Sequence, residues 1–105
     1  MKTIENITDY KTVIEQDKPI LLDFYADWCG PCQTLLPVIE KLSVEYDNDI
    51  EIRKINVDNN KELSEHFKVR SIPALFFIKD LKVVDRLSGL RTESELRQKL
   101  DALLN

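Results

Sequence analysis

The chain has 105 residues, of which 43% are hydrophobic and 32% are charged, with 15 basic and 19 acidic side chains. This length is typical of one domain with its own core, so we expect a single soluble domain over residues 1–105. The net charge of −4 argues against nucleic acid as the main partner, and no apolar run is long enough to span a membrane. Residues 1–12 lack the basic-then-apolar order of a secretory signal, which favours a cytoplasmic location.

Helix and strand signals alternate in the first half of the chain. A short strand is predicted over Thr3 to Asn6, and then a helix that Thr8 caps and that runs to about residue 16. The near-continuous apolar run from Ile20 to Ala26 predicts a strand buried on both faces. From Cys29 to Tyr46 the apolar period is helical, and Pro37 is expected to kink that helix.

The alternation continues to the end of the chain. Residues 50–57 predict a strand, residues 58–67 a cap region and a short helix, and Pro73 opens another apolar strand. Asp80 and Leu81 are predicted to turn this strand into a hairpin, through a turn type that spares leucine a left-handed conformation. Thr92 and Glu95 have the spacing of a capping box for a last helix. The order predicts an α/β fold, with a central mixed five-stranded sheet flanked by four helices.

The chain's two cysteines lie in the segment Trp28-Cys29-Gly30-Pro31-Cys32, where the buried strand meets a helix. Unpaired N–H groups and the helix dipole favour an anion at a helix start, so the pKa of the Cys29 thiol should be lowered. Cys32 lies one turn further on, close enough to resolve a mixed disulfide. The alternatives are a structural disulfide, whose loop would be too small to stabilise much, and half of a metal site, for which a second ligand pair is missing. We therefore predict redox chemistry, without a metal or a bound cofactor.

A carboxylate interrupts the apolar strand at Asp23, where burial would raise its pKa. On the next strand, Lys54 shares a face with Ile50 and Ile52, so its amine is predicted to lean inward and to partner Asp23. We interpret Asp23 as the group that moves protons for Cys32 when that buried thiol must become a nucleophile. The alternative is an exposed aspartate at a strand end.

Together these motifs resemble the thioredoxin family over essentially the whole chain. The segment DFYADWCGPC at residues 23–32 resembles the family's active-site segment, and Pro37 matches its helix-kinking proline. Residues 54–58 are similar to the strand that supplies the family's lysine, and residues 69–73 to the stretch that contains its cis-proline. Gly89 matches the family's later loop glycine. The resemblance implies a thioredoxin fold.

The resemblance also implies a role for each matching position. Cys29 would be the attacking cysteine and Cys32 the resolving one, with Asp23 and Lys54 buried behind them. The Ile72–Pro73 bond would be cis. The substrate-binding residues would be Trp28, Gly30, Pro31, Ile72, Pro73, Gly89 and Leu90.

The predicted function is that of a general protein dithiol–disulfide oxidoreductase, which reduces protein disulfides as a cytoplasmic monomer. By resemblance, its partners are disulfide-containing proteins and an NADPH-dependent thioredoxin reductase that returns it to the dithiol. Two alternatives stay open. One keeps the fold but makes the protein an oxidant or isomerase in an exported compartment. The other is a non-enzymatic binding subunit that docks on a larger protein through the apolar surface around Trp28.

Overall fold

The computed structural model describes residues 1–105 and contains five strands and four helices in the predicted order. The strands are β1 (Lys2–Thr3), β2 (Ile20–Tyr25), β3 (Glu51–Asn56), β4 (Ala74–Lys79) and β5 (Lys82–Ser88). The helices are α1 (Ile7–Ile14), α2 (Gly30–Glu45), α3 (Lys61–His66) and α4 (Glu93–Leu103). None of the helices has the length and apolar composition needed to cross a membrane.

The strands form one mixed sheet in the order β1-β3-β2-β4-β5. The pairs β1–β3 and β2–β3 are parallel, whereas β4 runs antiparallel to both β2 and β5. Every residue of β2 is buried, which explains its near-continuous apolar sequence. The predicted fold class is confirmed.

Side chains alternate between two cores on the two faces of the sheet. On one face, Leu22 and Phe24 of β2 pack in a cluster that includes Val13 of α1 and Leu63 of α3. On the other face, Leu21 of β2 packs in a cluster that is completed by α2 and α4. The buried residues that those two helices contribute to the second core are Leu35, Ile39, Leu42, Leu96, Leu100 and Leu103.

The start of the chain differs from the prediction. β1 ends at Thr3, and the cap of α1 is Asn6 rather than Thr8. The Asn6 side chain accepts a hydrogen bond from the backbone N–H of Asp9 at 2.9 Å, because asparagine two positions earlier supplies a good capping oxygen. The helix ends at Ile14, two residues before the predicted end.

The turn of the β4–β5 hairpin also differs from the prediction. Asp80 and Leu81, the two residues of the turn, have φ angles of 53° and 66°. Positive φ at both central positions is the pattern of a type I′ turn, whose twist matches that of the flanking strands. The prediction that Leu81 would avoid the left-handed region is therefore wrong, since the pairing of the strands overrides the local preference of leucine.

The cap of α4 forms in part as predicted. The hydroxyl of Thr92 accepts a hydrogen bond from the backbone N–H of Glu95 at 3.1 Å. The Glu95 carboxylate, however, accepts from the Arg91 guanidinium at 3.4 Å instead of turning back to the cap residue. Only one of the two hydrogen bonds of a capping box is present.

Candidate functional site

The two cysteines lie at the junction of β2 and α2, and they are joined by a disulfide bond. Cys29 is the N-cap of α2, Pro31 occupies its first turn, and Cys32 follows in the same turn. Both cysteines are buried, with 6% of Cys29 and 2% of Cys32 exposed. A Cβ atom added at Gly30 would meet open space, so nothing covers the chain beside Cys29.

The start of α2 provides electrostatic stabilisation for a negative charge on Cys29. The backbone N–H of Cys32 donates a hydrogen bond to Sγ of Cys29, with an N···S distance of 3.3 Å. The positive end of the helix dipole lies at the same place. When the disulfide is reduced, both features favour the thiolate form of Cys29, which is the form that attacks a disulfide.

The loop before β4 comes next to the disulfide. The Ile72–Pro73 bond is cis, as the resemblance implied, and the carbonyl oxygen of Ile72 lies 3.8 Å from Sγ of Cys29. The carbonyl of Pro73 in turn accepts a hydrogen bond from the N–H of Gly89 at 2.9 Å. Gly89 has a φ of 81°, a conformation that suits glycine. Three separate segments of the chain thus converge at Cys29.

Trp28 directly precedes Cys29 and is 71% exposed. Its indole N–H donates a hydrogen bond to Oδ2 of Asp58 at 2.9 Å. The backbone N–H of Asp58 is itself bonded to the side-chain oxygen of Asn56, the last residue of β3, at 2.9 Å. The sequence predicted Asp58 at the end of a strand and the start of a helix-cap region, and this contact was not predicted. An indole donor beside the cysteines was a signal that an acceptor was needed, but no spacing indicated which one.

Asp23 and Lys54 are neighbours in register on the parallel strands β2 and β3. Asp23 is only 1% exposed, and its Oδ1 atom has no hydrogen-bond partner. Burial raises the pKa of Asp23 to about 7, and the positive charge of Lys54 partly offsets that rise. The alternative of an exposed Asp23 is therefore wrong.

The prediction for Lys54 needs a correction. Its side chain is half-buried rather than buried, and its amine lies 5.6 Å from the centre of the Tyr25 ring. Lys54 forms no ion pair with Asp23 within 4.0 Å. Lys54 therefore acts on Asp23 through the field of its charge, because the aromatic ring of Tyr25 offers the amine a separate contact.

Strand alternation places Asp23 under the first turns of α2. Leu21, Asp23 and Tyr25 point to the same face of β2. Leu21 packs in the core that α2 covers, and Tyr25 packs against Cys29 and Cys32. Asp23 lies between these two, on the side of the sheet that carries the disulfide. No three His, Cys, Asp or Glu side chains are grouped so as to hold a metal ion.

Comparison with known sequences shows the family of the chain. The family model described as Thioredoxin matches residues 2–102. The thioredoxin of Chlorobaculum thiosulfatiphilum is 42% identical over 89 residues, which cover 85% of this chain and 82% of the relative. The thioredoxin of Mycobacterium bovis is 40% identical over 88 residues, which cover 84% of this chain and 76% of the relative.

Comparison with solved structures shows the same relationship. The thioredoxin of Fasciola hepatica superposes with a TM-score of 0.89 at 36% identity, covering 97% of this chain and 98% of that one. Deadhead, a germline-specific thioredoxin of Drosophila melanogaster, gives a TM-score of 0.90 at 35% identity, covering 98% and 99%. With its sequence relatives, its fold and a Cys-x-x-Cys disulfide at the start of α2, this chain belongs to the thioredoxin family of thiol–disulfide oxidoreductases.

Proposed function

We propose that the protein works as a general reductant of disulfide bonds in other proteins. The observation that carries this proposal is the Cys29–Cys32 pair at the N-terminus of α2, where the Cys32 N–H and the helix dipole favour a Cys29 thiolate. Members of the thioredoxin family act on disulfide substrates and are recycled by thioredoxin reductase. The Gly-Pro pair between the cysteines resembles the reducing members of the family.

The proposed reaction has two exchange steps. The Cys29 thiolate attacks one sulfur of the substrate disulfide, which forms a mixed disulfide and releases the first substrate thiolate. Cys32 loses its proton and attacks Sγ of Cys29, which forms the Cys29–Cys32 disulfide and releases the second substrate thiolate. In total, two electrons pass from the cysteine pair to the substrate, one proton is lost by Cys32, and the two substrate thiolates take up protons from the solvent according to their own pKa values. An NADPH-dependent, flavin-containing thioredoxin reductase is the proposed partner that restores the dithiol.

Asp23 is the proposed acceptor of the Cys32 proton, and Lys54 is a positioning residue that acts through Asp23. Burial raises the pKa of Asp23 to about 7, so its carboxylate gains and loses a proton near neutral pH, as an efficient acid–base group does. Its Oδ1 atom has no hydrogen-bond partner and is therefore free to accept the proton. The charge of Lys54 keeps the pKa of Asp23 from rising further.

The proposed docking surface surrounds the disulfide. Trp28 and Leu90 are exposed apolar side chains, 71% and 56% accessible, on two of the segments that meet at Cys29. The Ile72 carbonyl lies next to Cys29 and can accept a hydrogen bond from an extended substrate. The full proposed surface consists of Trp28, Gly30, Pro31, Ile72, Pro73, Gly89 and Leu90.

We place this activity in the cytoplasm, because a reductant serves where thiols are kept reduced. The proposed working form is the monomer, since a single chain supplies every group of the site.

A redox titration tests the direction of the reaction. The protein is equilibrated in dithiothreitol buffers of defined ratio, and the fluorescence of Trp28, its single tryptophan, reports the disulfide. A midpoint of about −270 mV, the general value for thioredoxin, is expected. A midpoint of about −120 to −180 mV would identify an oxidant or isomerase instead. A purely structural binding subunit would keep its function in the Cys29→Ser, Cys32→Ser double variant, because that function does not need the thiols. A reductant would lose its disulfide-reducing activity in the same variant.

A further inference from the structure

A groove lies beside the disulfide, between α2 and the segment that leads into α4. Its volume is about 370 Å³. We call it the α2–α4 groove, and the residues that line it are Thr34, Leu35, Val38, Leu90, Arg91, Thr92 and Glu93. Of these residues only Leu90 belongs to the proposed docking surface, and the exchange steps described above use none of them.

The interior of the α2–α4 groove is apolar, and the charges at its rim are paired. Leu35 is buried, Val38 is half-buried, and Leu90, which is 56% exposed, lies at the edge of the groove. Glu93 is bonded to a lysine of α2 and an arginine of α4, and Arg91 to a glutamate of α4. Because the rim charges are already compensated, an apolar group can enter the groove without leaving a new unpaired charge.

Both walls of the groove are linked to Cys29. Leu90 follows Gly89, whose N–H is bonded to the carbonyl of Pro73 at 2.9 Å. The residue before Pro73 places its carbonyl oxygen 3.8 Å from Sγ of Cys29. The other wall is α2 itself, which begins directly after Cys29. A substrate disulfide that reaches Cys29 therefore brings its flanking residues to the mouth of the groove.

Helix geometry gives the distance from the attacking sulfur to the groove. Thr34 lies five positions after Cys29, which corresponds to about 7.5 Å along the axis of α2 and, because five residues turn the helix by about 140°, to about 4 Å across it, or about 9 Å between the two Cα atoms. An extended chain advances about 3.3 Å per residue. The groove is thus two or three residues away from the substrate cysteine.

We propose that the α2–α4 groove is a specificity subsite, which receives an apolar side chain of the substrate protein two or three residues from the attacked cysteine. The inference rests on the proposed reductase function, because the occupant arrives with a substrate disulfide. A volume of about 370 Å³ lies within the roughly 300–1,000 Å³ range of ligand pockets, which leaves room for one apolar side chain.

The test uses symmetric disulfides of short serine-rich peptides, each peptide with one cysteine. Each test peptide carries one leucine, at one of the four positions before the cysteine or one of the four positions after it. An all-serine peptide is the reference. Chromatography measures the rate constant for release of the peptide thiol by the pre-reduced protein. Leucine two or three residues from the cysteine is expected to raise that rate constant about fivefold through partial burial, and leucine elsewhere to leave it within about twofold.

Variants on α2 locate the effect. Thr34→Lys puts a charged chain into the groove and is expected to abolish the leucine preference, and Val38→Thr, of nearly the same shape, is expected to weaken it. Val44→Lys introduces the same side chain at a 76% exposed position ten residues further along the helix, and the preference is expected to persist. Circular dichroism and the rate with the serine peptide check that each variant is folded.

Three results would overturn the inference. Equal rates for all leucine positions would mean that the groove takes no substrate side chain. A leucine preference that persists in both Thr34→Lys and Val38→Thr would mean that another surface binds the leucine side chain. A protein that sediments as a dimer, and as a monomer after Thr34→Lys, would show that a second copy of the chain occupies the groove. Failure to reduce any peptide, the serine reference included, would refute the reductase function itself.

Discussion

Asp23 and Lys54 are side by side on the central parallel strands, yet their charges are not joined in an ion pair. The Lys54 amine lies over the ring of Tyr25, while one carboxylate oxygen of Asp23 stays without a hydrogen bond. A buried carboxyl in this state costs free energy when it ionises, because the interior solvates the charge poorly. This relationship has consequences for stability and for catalysis.

The first consequence is that Asp23 makes stability fall as pH rises. The unfolded chain loses this proton near pH 3.8, whereas the folded protein keeps it up to about pH 7. Between these values the folded state binds more protons, so the Asp23 contribution to the free energy of unfolding falls by about 1.4 kcal/mol per pH unit. We expect Asp23→Asn to remove this slope and to be more stable than the parent at pH 8.

Urea unfolding of the oxidised proteins between pH 4 and pH 9 measures the effect, with the difference between variant and parent isolating this one group. Asp17→Asn, which changes an exposed aspartate, is the matched control and should follow the parent curve. Parallel curves for Asp23→Asn and the parent would contradict the raised pKa.

Lys54→Met is expected to raise the pKa of Asp23 above the parent value of about 7. The positive charge of Lys54 favours the ionised carboxylate, and methionine fills a similar volume without that charge. The chemical shift of the Asp23 carboxyl carbon, followed by NMR during a pH titration, reports this pKa directly. Lys11→Met removes an exposed charge on α1 and serves as the control. An unchanged titration in Lys54→Met would show that the two charges do not interact.

Asp23→Asn is expected to slow the resolving step by about tenfold or more at pH 7, because asparagine cannot accept the Cys32 proton. Rapid mixing of the reduced variant with a protein disulfide should show the mixed disulfide accumulating at Cys29. The attack by Cys29 should keep its rate, which separates a proton-transfer role from a general loss of structure. If Asp23→Asn turned over disulfides as fast as the parent, the proposed role would be wrong.

Asp58→Ala is expected to free the Trp28 side chain. The hydrogen bond from the indole to Asp58 fixes an exposed ring, and one such bond contributes about 0.5–1.5 kcal/mol. Time-resolved fluorescence anisotropy of the single tryptophan should show faster ring motion, and KM for a protein disulfide should rise a few-fold with little change in kcat. Asp58→Asn retains an acceptor oxygen, so its ring motion and its KM should lie between those of the parent and those of Asp58→Ala. Unchanged anisotropy in Asp58→Ala would contradict this account.

Leu81→Gly is expected to stabilise the protein by about 0.5–1 kcal/mol. Leu81 has a φ of 66°, which glycine adopts without steric cost, and it is 69% exposed, so little burial is lost. Leu81→Ala keeps the Cβ atom and should give no comparable gain. The midpoint of urea unfolding compares the three proteins, and a destabilised Leu81→Gly would mean that the leucine makes contacts that outweigh the turn.

Local patterns in the sequence were enough for the order of elements and for the central chemistry. The apolar run of β2 predicted a doubly buried strand, and the Cys-Gly-Pro-Cys segment lay where a helix had to begin. These features depend on neighbours a few residues apart, which a sequence displays directly. The position of Asp23 in that strand likewise predicted a buried carboxyl.

Other local rules were outweighed by their context. Asn6 took the cap that Thr8 was predicted to form, since both residues cap helices well and only the path of the chain after β1 selects between them. Leu81 entered a left-handed conformation because the twist of β4 and β5 requires it. In both cases the packing of whole elements overrode the preference of one residue.

The sequence by itself determined which residues carry the redox chemistry, and the tertiary structure decided what surrounds them. The bond from Trp28 to Asp58 spans 30 positions, and the contact from Ile72 to Cys29 spans 43. The diversion of Lys54 to the ring of Tyr25 likewise requires two strands to lie in register. Such contacts depend on how strands pair and loops close across the sheet, and these long-range geometries leave no fixed spacing in the sequence.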